Sequence, residues 1–300
     1  MEPWMTNLDA AWWAKLRRAN THRETLAKLV DEFEASEPYT LDPEPGDRPD
    51  EVAYRLRIRR EAPAEISTVV GDVLHNLRSA LDSLAYELAV QSKGAALTKR
   101  ESAVTGFPWV TSPREYEGFF GLGVAPRDCD AAGRLRGGIY TPEARNAMRV
   151  AQPFWWIEMA NLPETERRQH TEEDFQWSAI HRLRQLSNID KHRRLPALGV
   201  AWPEMLYWGS DEGDDTRFRG GHMPPTDNTI LCYLVGANAA NIELHTEFAL
   251  VLTDDPRHQP GTDKHYQPQD CQQLLADFAR HVEIAVRQVL SQYGQELAAR

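Results

Sequence analysis

The stretch LRQLSNIDKHRRLP, Leu183 to Pro196, carries Arg184, Asn188 and His192 at four-residue spacing, with His181 just upstream. On a helix that spacing stacks a guanidinium, a carboxamide and an imidazole in one row. Together they suit an anionic ligand. Arg holds a phosphate or carboxylate through two hydrogen bonds, Asn orients it, and His moves a proton near neutral pH. Asp190 and Lys191 lie in the same stretch, and KHRRL adds positive charge beside the row.

A second row lies in PAEISTVVGDVLHNLRSALDSLAYELAVQ. Val70, Val73, Leu74, Leu77, Leu81, Leu84 and Leu88 form an apolar stripe there. The other side is not a Lys/Glu surface. It reads Asp72, His75, Asn76, Ser79, Asp82, Ser83 and Tyr86, with Arg78 at the border in reach of Asp82 at i+4. Short hydrogen-bonding side chains suit a buried or cleft-facing network, where each polar atom needs a partner. Packed face to face, the two rows would form a polar seam.

Arg184 and His192 are the catalytic candidates in that seam. His75, Asn76, Arg78, Asp82, His181, Asn188, Asp190 and Lys191 are the binding candidates. The seam also reads as a device that only fixes helix register. Metal binding by His75, Asp82 and His192 lacks a diagnostic ligand spacing, so neither a metal site nor a cofactor is assigned.

The elements that must position these rows follow from periodicity. Helical spacing begins near Leu8 and runs through Trp12, Ala19, Leu26, Val30 and Phe33. SEPYTLDPEPGDRPD predicts a connector. EVAYRLRIRRE alternates, with Val52, Tyr54, Leu56 and Ile58 on one face and Arg55, Arg57 and Arg59 on the other. That basic face is either a solvated strand face or a patch for RNA or an acidic partner. A helix starts at Pro63, and residues 94–140 read as loop with a short helix around Tyr116. Thr141 caps a short helix with Pro142 in its first turn, and Pro153 ends it. Thr171 and Asp174 form a capping box for a helix running to about Lys191.

Beyond it, LPALGVAWPEMLYWG, NTILCYLVGA and NIELHTEFALVLTD predict strands of an antiparallel meander. Leu274, Phe278, Val282, Ala285 and Val289 form the stripe of a last helix. The expected organisation is one α+β domain over 1–300: mainly helical to 195, a β meander at 196–255, and a C-terminal helix at 266–298. The strand at 51–60 is expected to join the later strands in one sheet.

Composition narrows the partners. A chain of 300 residues with net charge -11 repels nucleic-acid backbone in bulk, so any such contact needs a local basic patch. No run of about 18 apolar residues exists, so no membrane span is expected. The N-terminus has no apolar signal region. Three scattered cysteines, Cys129, Cys232 and Cys271, fit a reducing cytoplasm and not a disulfide framework. GFFGLG is no dinucleotide fingerprint, and P-loop, HExxH and GxSxG motifs are missing. RGGHMPP around His222 reads as a loop. Trp12, Trp13, Trp155 and Trp156 read as core or dimer contacts.

GDVLHNLRSALDSLAYELA, AQPFW and LRQLSNIDKHRRL, in that order, resemble a widespread bacterial family of uncharacterised proteins. The likeness spans roughly residues 10–200. More loosely, the chain is similar to HEPN proteins, helical bundles that often act as metal-independent RNases with a site formed across a homodimer. That resemblance implies an Arg paired with a His four to six residues later. The bacterial family often has His where this chain has Ser83, so the pairing from Arg78 lacks its imidazole here. Arg184 and His192 are the other pairing, with seven residues between them. The expectation is a HEPN-like bundle on an antiparallel sheet, cytoplasmic, binding or cutting RNA or a nucleotide in defence or stress. The alternatives are a non-enzymatic interaction protein and a small-anion binder.

Overall fold

The computed structural model describes residues 5, 7, 9–123, 131–155, 178–191, 198–201, 205–208, 217–220, 227–228, 230–235, 243–246, 249–252 and 270–299. Helices α1 (Ala11–Glu34), α2 (Ala64–Lys93), α3 (Lys99–Ser102), α4 (Pro113–Phe119), α5 (Ala131–Ile139), α6 (Pro142–Arg149), α7 (Ala179–Lys191) and α8 (Cys271–Ala298) combine with antiparallel strands. The strands are β1 (Tyr39–Pro45), β2 (Glu51–Ile58), β3 (Leu198–Ala201), β4 (Met205–Trp208), β5 (Arg217–Gly220), β6 (Ile230–Val235), β7 (Glu243–Thr246) and β8 (Ala249–Leu252). The fold class is α+β. None of the helices among the described residues is long and apolar enough to cross a membrane.

The chain divides into two compact units: Met1–Arg23 with Gly71–Arg194 and Leu275–Arg300, and Glu24–Val70 with Leu195–Leu274. The first unit is helical. The α2 stripe expected from sequence is its core, with Val73, Leu74, Leu77, Leu81, Leu84 and Leu88 fully buried. Buried Trp12, Leu183, Leu186, Phe278, Val282 and Val289 add to it. Tyr116, Phe120 and Tyr140 make a chain of edge-to-face rings 5.1 and 5.5 Å apart.

The region 94–140 holds more helix than its composition suggested. Thr98 and Glu101 close a reciprocal capping box on α3. Ser112 caps α4, the helix expected around Tyr116, and Thr141 caps α6 as expected. The missed elements are α3 and the longer α5, AAGRLRGGI, whose glycines disfavour a helix. Tertiary contacts override that preference. Arg136 donates to the carbonyls of Val104 and Phe119, both at 2.9 Å, with its guanidinium 4.1 Å from the Phe119 ring. A Cβ at Gly137 would sit 2.3 Å from the Phe120 carbonyl oxygen, so only glycine fits.

The second unit contains the strands. One four-stranded sheet has the order β1-β2-β6-β5. The strand at 51–58 does pair with a later strand, Glu51 opposite Val235, but the expected single sheet is not formed: β3 with β8 and β4 with β7 make separate two-stranded sheets. Tyr54, Cys232 and Leu234 pack together, with Leu41 and Val52 against them.

Two further expectations need correction. The connector after α1 is a strand: Tyr39–Pro45 pairs along β2. Pro43 and Pro45 are tolerated because β1 is an edge strand and loses no inner ladder bond. The later strands also do not form a meander. Leu198 pairs with Leu252, Met205 with Thr246, and Arg217 with Val235, nested like the rungs of one hairpin.

The Arg face of β2 is likewise no open basic patch. Arg55 forks onto Glu44, and Arg57 Nε donates to Asp42 at 3.1 Å. Asn228, at φ 66°, accepts from Arg55 through its carbonyl and from Arg57 through its side chain. The acids of the strand misread as a connector thus neutralise two of the three arginines.

Leu81→Ala should cost about 2–5 kcal/mol of stability, since it empties a fully buried site in α2. Urea unfolding followed by circular dichroism measures it.

Candidate functional site

The site is built where α2, α7 and the irregular segment 106–111 meet in the first unit. Burial of Leu77, Leu81 and Leu84 fixes the rotation of α2 and leaves Arg78 and Asp82 beside the segment. Asp82 Oδ1 accepts two hydrogen bonds from it, from the Phe107 backbone N–H at 3.1 Å and the Trp109 indole N–H at 3.2 Å. Phe107 and Trp109 pack edge to face at 5.2 Å.

Both candidate arginines converge on Trp109. The Arg78 guanidinium stands 5.4 Å from its ring centroid. Arg78 Nη1 donates to Asn188 Oδ1 on α7 at 2.6 Å, and its Nε lies 3.8 Å from Asp82 Oδ2. One turn back on α7, Arg184 Nη1 donates to the Trp109 carbonyl at 2.5 Å. A single residue is therefore held through its ring, its indole N–H and its carbonyl.

Burial lowers the pKa of Arg78, the nearby Arg184 lowers it further, and Asp82 opposes both. His181, half-buried on α7, also titrates below its ordinary 6.5. Burial is the main cause, Arg184 adds to it, and Glu115 opposes it. Glu115 Oε2 is held by the Thr111 backbone N–H at 2.8 Å and the Thr111 hydroxyl at 3.2 Å.

The two rows do not meet along their full length. Arg78, Asp82, Arg184 and Asn188 come together. His75 is exposed, and its Nε2 lies 3.4 Å from Ser79 on its own helix. Asn76 is buried but turns back to donate to the Asp72 carbonyl at 2.8 Å. Neither belongs to a seam as expected, because each has a partner one turn away on the same helix. His192 lies outside the described residues, as do Thr171, Asp174, Trp156, His222 and Cys129. Asp190 and Lys191 are placed only as backbone of α7.

Trp109 and Glu115 are the site residues that sequence reasoning missed. Glu115 had a local signal, since Ser112-Pro113 with Glu115 following marks a helix start. Trp109 had none, for its partners are 27 and 75 residues away. Among the described residues, no three of His, Cys, Asp and Glu gather closely enough to hold a metal ion.

Two outcomes test this arrangement. Asp82→Ala should destabilise the protein by about 1–3 kcal/mol, because two donors in the segment lose their acceptor. Tryptophan emission should change with it as the Trp109 environment loosens. His181 keeps the folded state more stable when neutral, so its contribution is complete above about pH 6.5 and is lost as pH falls through the lowered pKa. Stability measured by urea unfolding should drop from pH 7.5 to 5.5, and His181→Gln should flatten that slope.

Compared with known proteins, the chain matches no family model, no curated protein and no solved structure.

Proposed function

We propose that the protein is a HEPN-like RNA- or nucleotide-binding protein whose site receives a phosphate at Arg184, beside Arg78 and Asn188. The observation that carries this reading is the convergence of two guanidiniums on Trp109, where, among the described residues, only Arg78 has an ion-pair partner, Asp82. Arg184 has one carbonyl acceptor there, and a guanidinium carries five N–H donors, so most remain for a phosphate. The same convergence explains why so acidic a chain would hold an anion: the positive charge is local and partly removed from water. His192, four residues after Asn188 in the sequence, is the proposed proton-transfer group for metal-independent cleavage of the RNA backbone. Association of two copies, which the HEPN resemblance implies, is part of the proposal.

A second reading has its own support. Arg78 on α2 donates to Asn188 on α7 and Arg184 on α7 donates to the Trp109 carbonyl, so the cluster also serves as a brace between α2, segment 106–111 and α7. Under that reading the protein acts through a partner surface and not through chemistry.

One experiment separates them. Purified protein is incubated with total cellular RNA, with and without EDTA, beside Arg184→Ala and His192→Ala, and RNA binding is followed by fluorescence anisotropy. EDTA-resistant cleavage lost in both variants is the expected result. Binding should also weaken with added salt, as phosphate contacts require. If the folded wild type neither binds nor cuts RNA, and Arg184→Ala only loses stability, the brace reading stands in its place.

A further inference from the structure

A cleft of about 650 Å³ opens beside Asp82 in the first unit. It is lined by the start of α1, the middle of α2 and the residues around α3. The polar row of α2 that the phosphate site leaves unused faces it: Ser79, Ser83 and Tyr86 are all in its wall. That row was read from sequence as buried or cleft-facing, and of these three only Ser79 has a partner on its own helix, His75. Among the described residues, Ser83, Tyr86 and Lys15, also in the wall, make no side-chain hydrogen bond or ion pair.

Asp82 joins the cleft to the arginine cluster. Its Oδ1 is committed to Phe107 and Trp109, but Oδ2 has only the 3.8 Å approach of Arg78. The side chain is 39% exposed, so Oδ2 keeps acceptor capacity toward the cleft. Tyr86 is 41% exposed, one of two large hydrophobic residues so exposed among the described residues. The wall also holds a second carboxylate, Glu87, which accepts from Gln91 Nε2 at 2.8 Å, and the remaining ring, carboxylate, hydroxyl and ammonium match the parts of a single molecule. The ring stacks a base, the carboxylate and hydroxyl take sugar hydroxyls, and the ammonium takes a phosphate.

We infer that this cleft is a nucleotide subsite holding one ribonucleoside phosphate, its base on Tyr86, its ribose hydroxyls on Asp82 and Ser83, and its phosphate toward Lys15. The inference deepens the RNA reading above and rests on it for the identity of the ligand. A lone sugar phosphate would leave the exposed ring without use. An apolar ligand would strand the carboxylate and the ammonium.

Isothermal titration of the full chain with AMP, UMP and ribose 5-phosphate tests it. Both nucleotides should bind, and ribose 5-phosphate at least ~10-fold more weakly, as loss of one stacked base requires. Tyr86→Ala should weaken the nucleotides by a similar factor and leave ribose 5-phosphate unchanged. Lys15→Glu should weaken all three ligands. Ser83→Leu should block the cleft, and Lys15→Glu covers the case in which that variant folds poorly. No nucleotide binding at millimolar concentration overturns the inference. So does nucleotide binding that neither Tyr86→Ala nor Lys15→Glu alters. RNA binding that depends on Arg184 but not on Tyr86 would overturn the subsite and leave the RNA reading standing. Tyr86-dependent nucleotide binding without any RNA binding would support the subsite and overturn the RNA half of that reading.

Discussion

The carboxylate of Asp82 is the point on which the candidate site depends. Segment 106–111 runs beside α2 without a ladder of its own, yet Phe107 and Trp109 are buried. A buried donor without an acceptor is costly, and Asp82 Oδ1 supplies the acceptor for two of them. Placing Trp109 in this way sets the rest. Its ring lies within cation–π range of Arg78, its carbonyl meets Arg184, and the chain leaves it aimed at Ser112, where α4 begins. A polar residue on α2 thus organises a loop, and the loop gathers Arg78 of α2 and Arg184 of α7.

Charge placement in the two units follows different logic. In the sheet, Arg55 and Arg57 answer Glu44 and Asp42 on the neighbouring strand, and Asn228 takes up further donors of both. These are exposed cross-strand pairs of modest worth that leave little charge for an outside ligand. In the helical unit, two guanidiniums share one tryptophan, and Arg184 ends on a carbonyl. A carbonyl satisfies one donor but cancels no charge. Among the described residues, this cluster therefore leaves more of its positive charge uncancelled than the sheet does.

Much of the fold was legible because its signals are local. The α2 stripe, the cap at Thr141 and the alternation over 51–58 depend on neighbours in the chain, and each forms as expected. The errors came where distant partners outweigh local preference. The prolines of β1 discourage a strand until an edge position makes them harmless. The glycines of α5 discourage a helix until Arg136 and the close approach of Phe120 demand it. The nested strands look like a meander because short spacing says that strands pair, but not with which partner.

The sequence by itself determined the residue types and the helical spacing that put Arg78 near Asp82 and Arg184 one turn before Asn188. It also determined the apolar stripes that turn those faces toward a neighbour. Only the tertiary structure decided which members meet. Arg78 reaches Asn188 across 110 positions, while His75 and Asn76, on the same helix, close onto their own turn. The reason is that a helical period fixes a side chain's direction and says nothing of what stands opposite. Trp109, the residue that joins the arginines, belongs to no periodic element, so packing alone could bring it there.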